Sequence, residues 1–197
     1  MPKIVVVASL TLDGVMQAPG RPDEDTRDGF AHGGWALPYA DETLGRAMGE
    51  RMTADGELLL GRRTYDDLYG YWPHQPDNQY TRKLTGSTKH VVSRTRTEPL
   101  PWENSRLVTG AIPEAVAKLK AGTGPDLAVL GSGELCRTLR AHDLVDEYLL
   151  MIHPLVLGTG RRLFEPGGGL ASMTLTDSLT TPAGVVLAHY RVRGGTR

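Results

Sequence analysis

The chain has 197 residues, 40% of them hydrophobic and 23% charged, with a net charge of −1. That balance predicts one globular domain over 1–197 with a frayed tail at 193–197, and it offers neither nucleic acid nor a membrane surface a basic patch to hold. The lone Cys136 excludes an internal disulfide, no run approaches the ~20 apolar residues of a membrane span, and the N-terminal apolar run is too short for a secretory core, so a cytoplasmic protein is expected. The six histidines lack HxxxH or HExxH spacing, and the HxE and CxxC of a zinc deaminase are both missing, so no metal is expected.

Residues 3–9 are β-branched and apolar on both faces, which predicts a buried strand. Thr11-Leu12-Asp13-Gly14-Val15 turns the chain into a long polar loop rich in glycine and proline, and a loop of that length in a compact domain is usually functional. Leu44, Ala47, Met48 and Met52 at helical spacing predict a helix over 41–52. A second buried strand is expected at 57–60, a short helix from 64 to 68, and a third strand at 89–93. A helix over 112–121 carries Pro113 near its first turn, where proline is tolerated. A fourth strand at 127–130, a helix at 134–140 and a fifth strand at 147–152 follow. Late strands at 173–175 and 185–192 alternate polar and apolar residues, as a hairpin or edge pair would. Strands alternating with helices predict an α/β fold with a largely parallel sheet.

Two places repeat one design. Leu58-Leu59-Leu60-Gly61-Arg62-Arg63-Thr64 and Ala128-Val129-Leu130-Gly131-Ser132-Gly133-Glu134-Leu135 each run a buried strand into glycine and then a helix start. Glycine permits close backbone approach, and a helix start offers free N–H groups to an anion. Thr64 adds a hydroxyl, or serves as a helix cap; Arg62 and Arg63 add charge. Neither turn matches GxGxxG or GxxxxGK[ST], which disfavours a standard dinucleotide-binding domain or P-loop. Together, at the carboxyl ends of two strands, they suit one phosphate-binding crevice. Ser93 and Arg94 directly follow a strand. They read as a site for a 2′-phosphate or as a solvated basic loop.

The order of these motifs resembles the dihydrofolate reductase fold. The closer resemblance, carried by Ala8-Ser9-Leu10-Thr11-Leu12-Asp13-Gly14 and His153-Pro154-Leu155-Val156-Leu157-Gly158-Thr159-Gly160, is to the reductase domain of bacterial riboflavin-biosynthesis deaminase-reductases and their free-standing relatives. It spans roughly residues 3–192. The resemblance implies a mixed, mostly parallel sheet flanked by helices, with a C-terminal antiparallel strand pair and NADPH across the strand ends. It puts Gly61, Arg62, Arg63 and Thr64 on a phosphate turn, and Ser93 and Arg94 on the adenosine 2′-phosphate turn. Gly131, Ser132, Gly133, Glu134 and Leu135 fall under the pyrophosphate, and Ala8 with the Asp13-Gly14 loop beside the nicotinamide. It also implies a homodimer.

The implied reaction is hydride transfer from NADPH to a C=N or C=O of a heterocyclic or ribosyl substrate. In Trp35-Ala36-Leu37-Pro38-Tyr39-Ala40-Asp41 the acid sits one residue later than in dihydrofolate reductases. Asp41 is thus either a proton donor or a helix cap, and reduction of folates or other pteridines is the second choice of activity. Trp35, Met52, Tyr65, Trp72 and Met151 are candidate substrate walls, with core packing the alternative for Met52, Tyr65, Trp72 and Met151. Met48 and Leu68 share that ambiguity, and His153 either lines the cleft or ends a strand. Asp66-Asp67 is a poor carboxylate dyad, since adjacent helical residues point apart. A non-catalytic NADPH-binding protein and a flavin enzyme of the same fold are further alternatives, told apart by turnover and by yellow colour.

Overall fold

The computed structural model describes residues 1–51 and 56–193. Its framework is an eight-stranded sheet: β1 (Ile4–Thr11), β2 (Glu57–Gly61), β3 (Lys89–Val92), β4 (Ser105–Val108), β5 (Leu127–Leu130), β6 (Glu147–His153), β7 (Met173–Thr180) and β8 (Val186–Val192). The spatial order is β4-β3-β2-β5-β1-β6-β8-β7. The first six strands run parallel, and β8 and β7 close the sheet with antiparallel pairings. This is the mixed sheet expected.

Among the described residues five α-helices cover the sheet: α1 (Glu42–Arg51), α2 (Arg62–Tyr71), α3 (Gln79–Gly86), α4 (Ile112–Lys120) and α5 (Gly133–Ala141). The two-residue period of the strands sorts them onto two faces. Ile4, Val6 and Ala8 of β1, Leu59 of β2 and Val129 of β5 pack against Val116 of α4 and Leu135, Cys136 and Leu139 of α5. On the other face Leu58 and Leu60 meet Tyr65 of α2 and Leu84 of α3, while Val7 and Leu149 meet Ala47 of α1. Both faces are covered, which is why the central strands read as unbroken apolar runs.

Three differences from the expected elements have physical reasons. Helix α3 was not anticipated; it starts on a reciprocal cap in which Asn78 accepts from the Tyr80 and Thr81 amides and the Thr81 hydroxyl accepts from the Asn78 amide. Strand β4 is a half-exposed edge strand of four residues, too short and too polar to show alternation. Strand β7 runs to Thr180 and is exposed along most of its length, so only 173–175 carried a pattern. At the C terminus the Arg193 amide donates to the Ser172 carbonyl, and 194–197 lie outside the described residues.

Candidate functional site

Strands β2 and β5 are neighbours, yet the helices that follow them, α2 and α5, cover opposite faces of the sheet. A crevice opens where two such connections diverge at the carboxyl ends of parallel strands. Here it is a cleft of about 2080 Å³ bordered by the ends of β1, β2, β3 and β5, the start of α4, one side of α1 and the loop from Met16 to Arg27.

The two glycine turns meet at its centre. Gly61 precedes α2 and Ser132 precedes α5, and neither helix receives a side-chain cap. As at any helix start, their first N–H groups have no intrahelical partner, and here no side chain of the helix start takes them up while both first turns line the cleft. Gly131 and Ser132 are both left-handed, at φ 54° and 62°. Glycine tolerates that region freely; serine does so at a cost of roughly 1–2 kcal/mol. The Ser132 hydroxyl offsets the cost by accepting from the Gly61 amide at 2.9 Å and donating to the Thr64 hydroxyl at 2.8 Å. One side chain thus ties the two turns together. A Cβ on Gly133 would stand 3.3 Å from the Met16 sulfur, so the turn lies close beneath the loop.

Charge lines the same region. Arg62 pairs with Asp66 at 3.2 Å, and Arg96 reaches the other oxygen of Asp66 at 2.7 Å. Arg63 lies 3.7 Å from Glu134. Ser93 is buried, and its oxygen accepts from the Thr95 and Arg96 amides, a turn that sets the exposed Arg94 on the cleft wall. Ala8 lines the cleft from β1, and Leu135 from the first turn of α5.

Asp13 and Gly14 are not brought into the cleft. The Asp13 carboxylate accepts from the Thr11 hydroxyl at 2.6 Å and from the Leu157 and Gly158 amides, and it pairs with Arg162. The Thr11 bond leads in holding its carboxyl well below the usual range. Its work is to pin the 155–162 segment to the end of β1. Gly14, at φ 80°, supplies the turn and accepts from the Leu163 amide.

Most of the aromatic candidates are also displaced. Trp35 is buried with Val15, Ala18 and Phe30, its ring N–H donating to the Gln17 carbonyl at 2.7 Å. Tyr65 is fully buried, and its hydroxyl accepts from the Trp102 amide. Trp72 packs edge-on to Tyr71 and Tyr80. None of the three lines the cleft; each satisfies a small core beneath a loop or helix. Met52 lies outside the described residues. Met151, Met48 and Leu68 do line the cleft.

Asp41 resolves as a cap. Its carboxylate accepts from the Leu44 amide at 2.7 Å and the Ala183 amide at 3.1 Å. The Leu44 bond leads in lowering its pKa, which leaves it ionised and unsuited to donate a proton. His153 ends β6, buried against Trp35 and Tyr39, with Nδ1 directed at the Leu10 and Met151 carbonyls. Burial lowers its pKa and keeps it neutral. Asp66 and Asp67 serve separate partners, Asp67 pairing with Arg21. Burial pushes the Cys136 thiol up to about 12.

The residues overlooked were Met16, Arg27 and Arg161, all on the cleft wall. The Arg161 amide donates to the Gln17 side chain, and the Met16 amide donates to the Arg161 carbonyl. The basic pair directly after Gly158-Thr159-Gly160 was the available signal. Among the described residues no group of three His, Cys, Asp or Glu is placed to hold a metal, and no helix is long and apolar enough to cross a membrane.

The family model described as the RibD C-terminal domain matches residues 2–187. The uncharacterized protein YyaP of Bacillus subtilis is 32% identical over 142 residues, 70% of this chain and 74% of that protein. A second Bacillus subtilis protein, YwjB, is 27% identical over 111 residues, 55% and 58% of the two chains. A Shewanella sp. PV-4 structure, provisionally named a riboflavin biosynthesis protein, superposes with a TM-score of 0.68 at 23% identity, covering 98% of this chain and 99% of that one. A pyrimidine reductase-like protein from Corynebacterium diphtheriae gives 0.65 at 14% identity, covering 98% and 93%. At those identities the two structures speak to the fold.

Proposed function

Because the chain belongs to the RibD C-terminal domain family, we propose that it is an NADPH-dependent reductase acting on a heterocyclic or ribosyl substrate. One observation carries the reading: two uncapped helix N-termini, α2 and α5, face one cleft and are joined through Ser132. Such ends hold phosphate through N–H groups and a partial positive charge. Two of them side by side suit a pyrophosphate, with Thr64, Arg62 and Arg63 at its edge. The donor set fits the group: the uncapped first turns of α2 and α5 offer amides, and Arg62 and Arg63 stand beside them on the cleft wall. Single-ligand pockets reach about 1,000 Å³. A cleft of about 2080 Å³ has the volume for a dinucleotide and a second ring.

In this reading Ser93 and Arg94 take the 2′-phosphate, and Ala8 lies beside the nicotinamide. When bound, NADPH supplies a hydride to the acceptor carbon and leaves as NADP⁺, and the acceptor nitrogen or oxygen gains one proton. Asp41 is ionised and occupied by amide bonds, which leaves water or a hydroxyl as the source of that proton. What the chain does is hold the two rings in contact at about 3–3.5 Å and shield them, with Met16 over Gly133 as part of the cover.

Tryptophan fluorescence titration with NADPH and NADH tests this. NADPH should bind in the micromolar range. An Arg94→Ala change removes a charge-assisted bond of about 1.5–3 kcal/mol, so NADPH should weaken about 10- to 150-fold and NADH far less. Failure of both cofactors to bind at high micromolar concentration would sink the proposal; equal weakening of both would refute the role of Arg94.

A further inference from the structure

We infer that Asp66 is a specificity-determining residue, a built-in competitor for the cofactor 2′-phosphate that holds Arg62 and Arg96 and narrows the preference for NADPH over NADH; the inference rests on the NADPH reading above. Asp66 lies one helical turn after Arg62 on α2, and its two oxygens serve two different elements. Oδ2 accepts from Arg62 Nη1 at 3.2 Å, and Oδ1 accepts from Arg96 Nη2 at 2.7 Å. Arg96 comes from the turn after β3, where the Ser93 oxygen accepts its amide at 3.0 Å. Arg62, Asp66, Ser93 and Arg94 all line the cleft. One carboxylate thus joins the α2 turn to the Ser93 turn, as Ser132 joins the α2 turn to the α5 turn.

The hold on the two arginines is weak. The side chains of Arg62, Asp66 and Arg96 are 40%, 27% and 43% exposed, and ion pairs in such contact with water stabilise little. Within α2 the pair runs from cation to acid, the poorer direction for a spacing of four. The first turn of α2 also carries Arg62 and Arg63 and no acid, the reverse of what the helix dipole favours. A turn built in that way gains from an anion. A phosphate monoester carries a charge of about −1.5 to −2 and three acceptor oxygens, and arginine forks bind it with charge-assisted bonds.

Charge then separates the two cofactors. NADPH brings a 2′-phosphate to the Ser93–Arg94 turn, where it competes with Asp66 for Arg62 and Arg96 and is repelled by the carboxylate itself. NADH brings a neutral hydroxyl to the same place. Both arginines then stay with Asp66, so the bound complex strands no uncompensated pair of cations. Asp66 therefore subtracts from NADPH affinity and leaves NADH affinity alone. Its neighbour Asp67 takes no part, being paired with Arg21.

Calorimetry on the full chain with NADP⁺ and NAD⁺ tests this. Titration of the wild type reads the cofactor proposal; titration of the variants reads the role of Asp66. Asp66→Asn removes the charge and nearly keeps the shape. It should tighten NADP⁺ about 3- to 10-fold, the scale of a like-charge repulsion in a part-exposed site, and NAD⁺ less than about twofold. The gain should shrink in 1 M NaCl, where screening acts over about 3 Å. Arg96→Ala should weaken NADP⁺ about 10-fold and leave NAD⁺ within about twofold, because the arginine that Asp66 releases is the one the phosphate takes up. Weaker or unchanged NADP⁺ binding by Asp66→Asn, equal tightening of both cofactors, or a gain that persists in 1 M NaCl overturns the inference while the cofactor reading stands. Wild-type protein that binds neither cofactor overturns both.

Discussion

Helices α1 and α3 begin on a side chain that closes them: Asp41 accepts from the Leu44 amide, and Asn78 from the Tyr80 and Thr81 amides. Helices α2 and α5 begin on Gly61 and Ser132 and are left open. Serine is a preferred cap by type. Ser132 nonetheless turns its hydroxyl away from its own helix, toward the Gly61 amide and Thr64. An open helix end elsewhere would forgo about 1 kcal/mol. At the cleft the same openness is what an anion needs, so missing caps mark the candidate site more sharply than residue types do.

The largest effect expected from testing this contrast is at Gly133. Gly133→Val sets methyl groups where a phosphate would approach the α5 amides. Losing two charge-assisted bonds of roughly 1.5–3 kcal/mol each weakens NADPH about 100-fold or more, read by fluorescence titration. The melting temperature should move little, because the flexible Met16 side chain can give way. Ser132→Ala should act on both sides of the comparison. It leaves the Gly61 amide without its acceptor, costing about 1–2 kcal/mol in denaturant unfolding, and it weakens NADPH by about 10-fold as the two turns lose their tie. Unchanged affinity would mean that each turn is set independently. The smallest effect on binding belongs to Asn78→Ala: about 1 kcal/mol of stability lost from the α3 cap, with NADPH affinity changed less than twofold. A large loss of affinity there would break the contrast between open and closed helices.

Much of this molecule is legible in its sequence, and the limits follow from particular residues. The strands at 57–60, 127–130 and 147–152 declare themselves because both of their faces are covered, so the run after the leading Glu57 and Glu147 is almost wholly apolar. Strand β4 and helix α3 stay hidden because an edge strand and a surface helix need little apolar pattern, although Asn78 and Thr81 at cap spacing were a usable sign of α3. Trp35 misleads for another reason. In a segment rich in glycine and proline it reads as an exposed stacking ring, yet that segment folds a core of its own from Val15, Ala18, Phe30 and Trp35. Tyr65 sits beside the phosphate turn in sequence, but one helical turn carries it inward to Trp102.

The sequence by itself determined the family, the strands other than β4, the helices other than α3, and the two glycine turns, because burial periodicity and strand–glycine–helix junctions are local properties of the chain. Only the tertiary structure decided what each polar group does. Asp13 became a clamp because its partners, the 157–158 amides, lie more than a hundred residues away, and Asp41, a cap for nearby Leu44, is tied as well to the distant Ala183 amide. The open ends of α2 and α5 became one candidate site because β2 and β5 pair in the sheet and bring Ser132 to Gly61. Hydrogen bonds form between neighbours in space, and a sequence orders only neighbours along the chain.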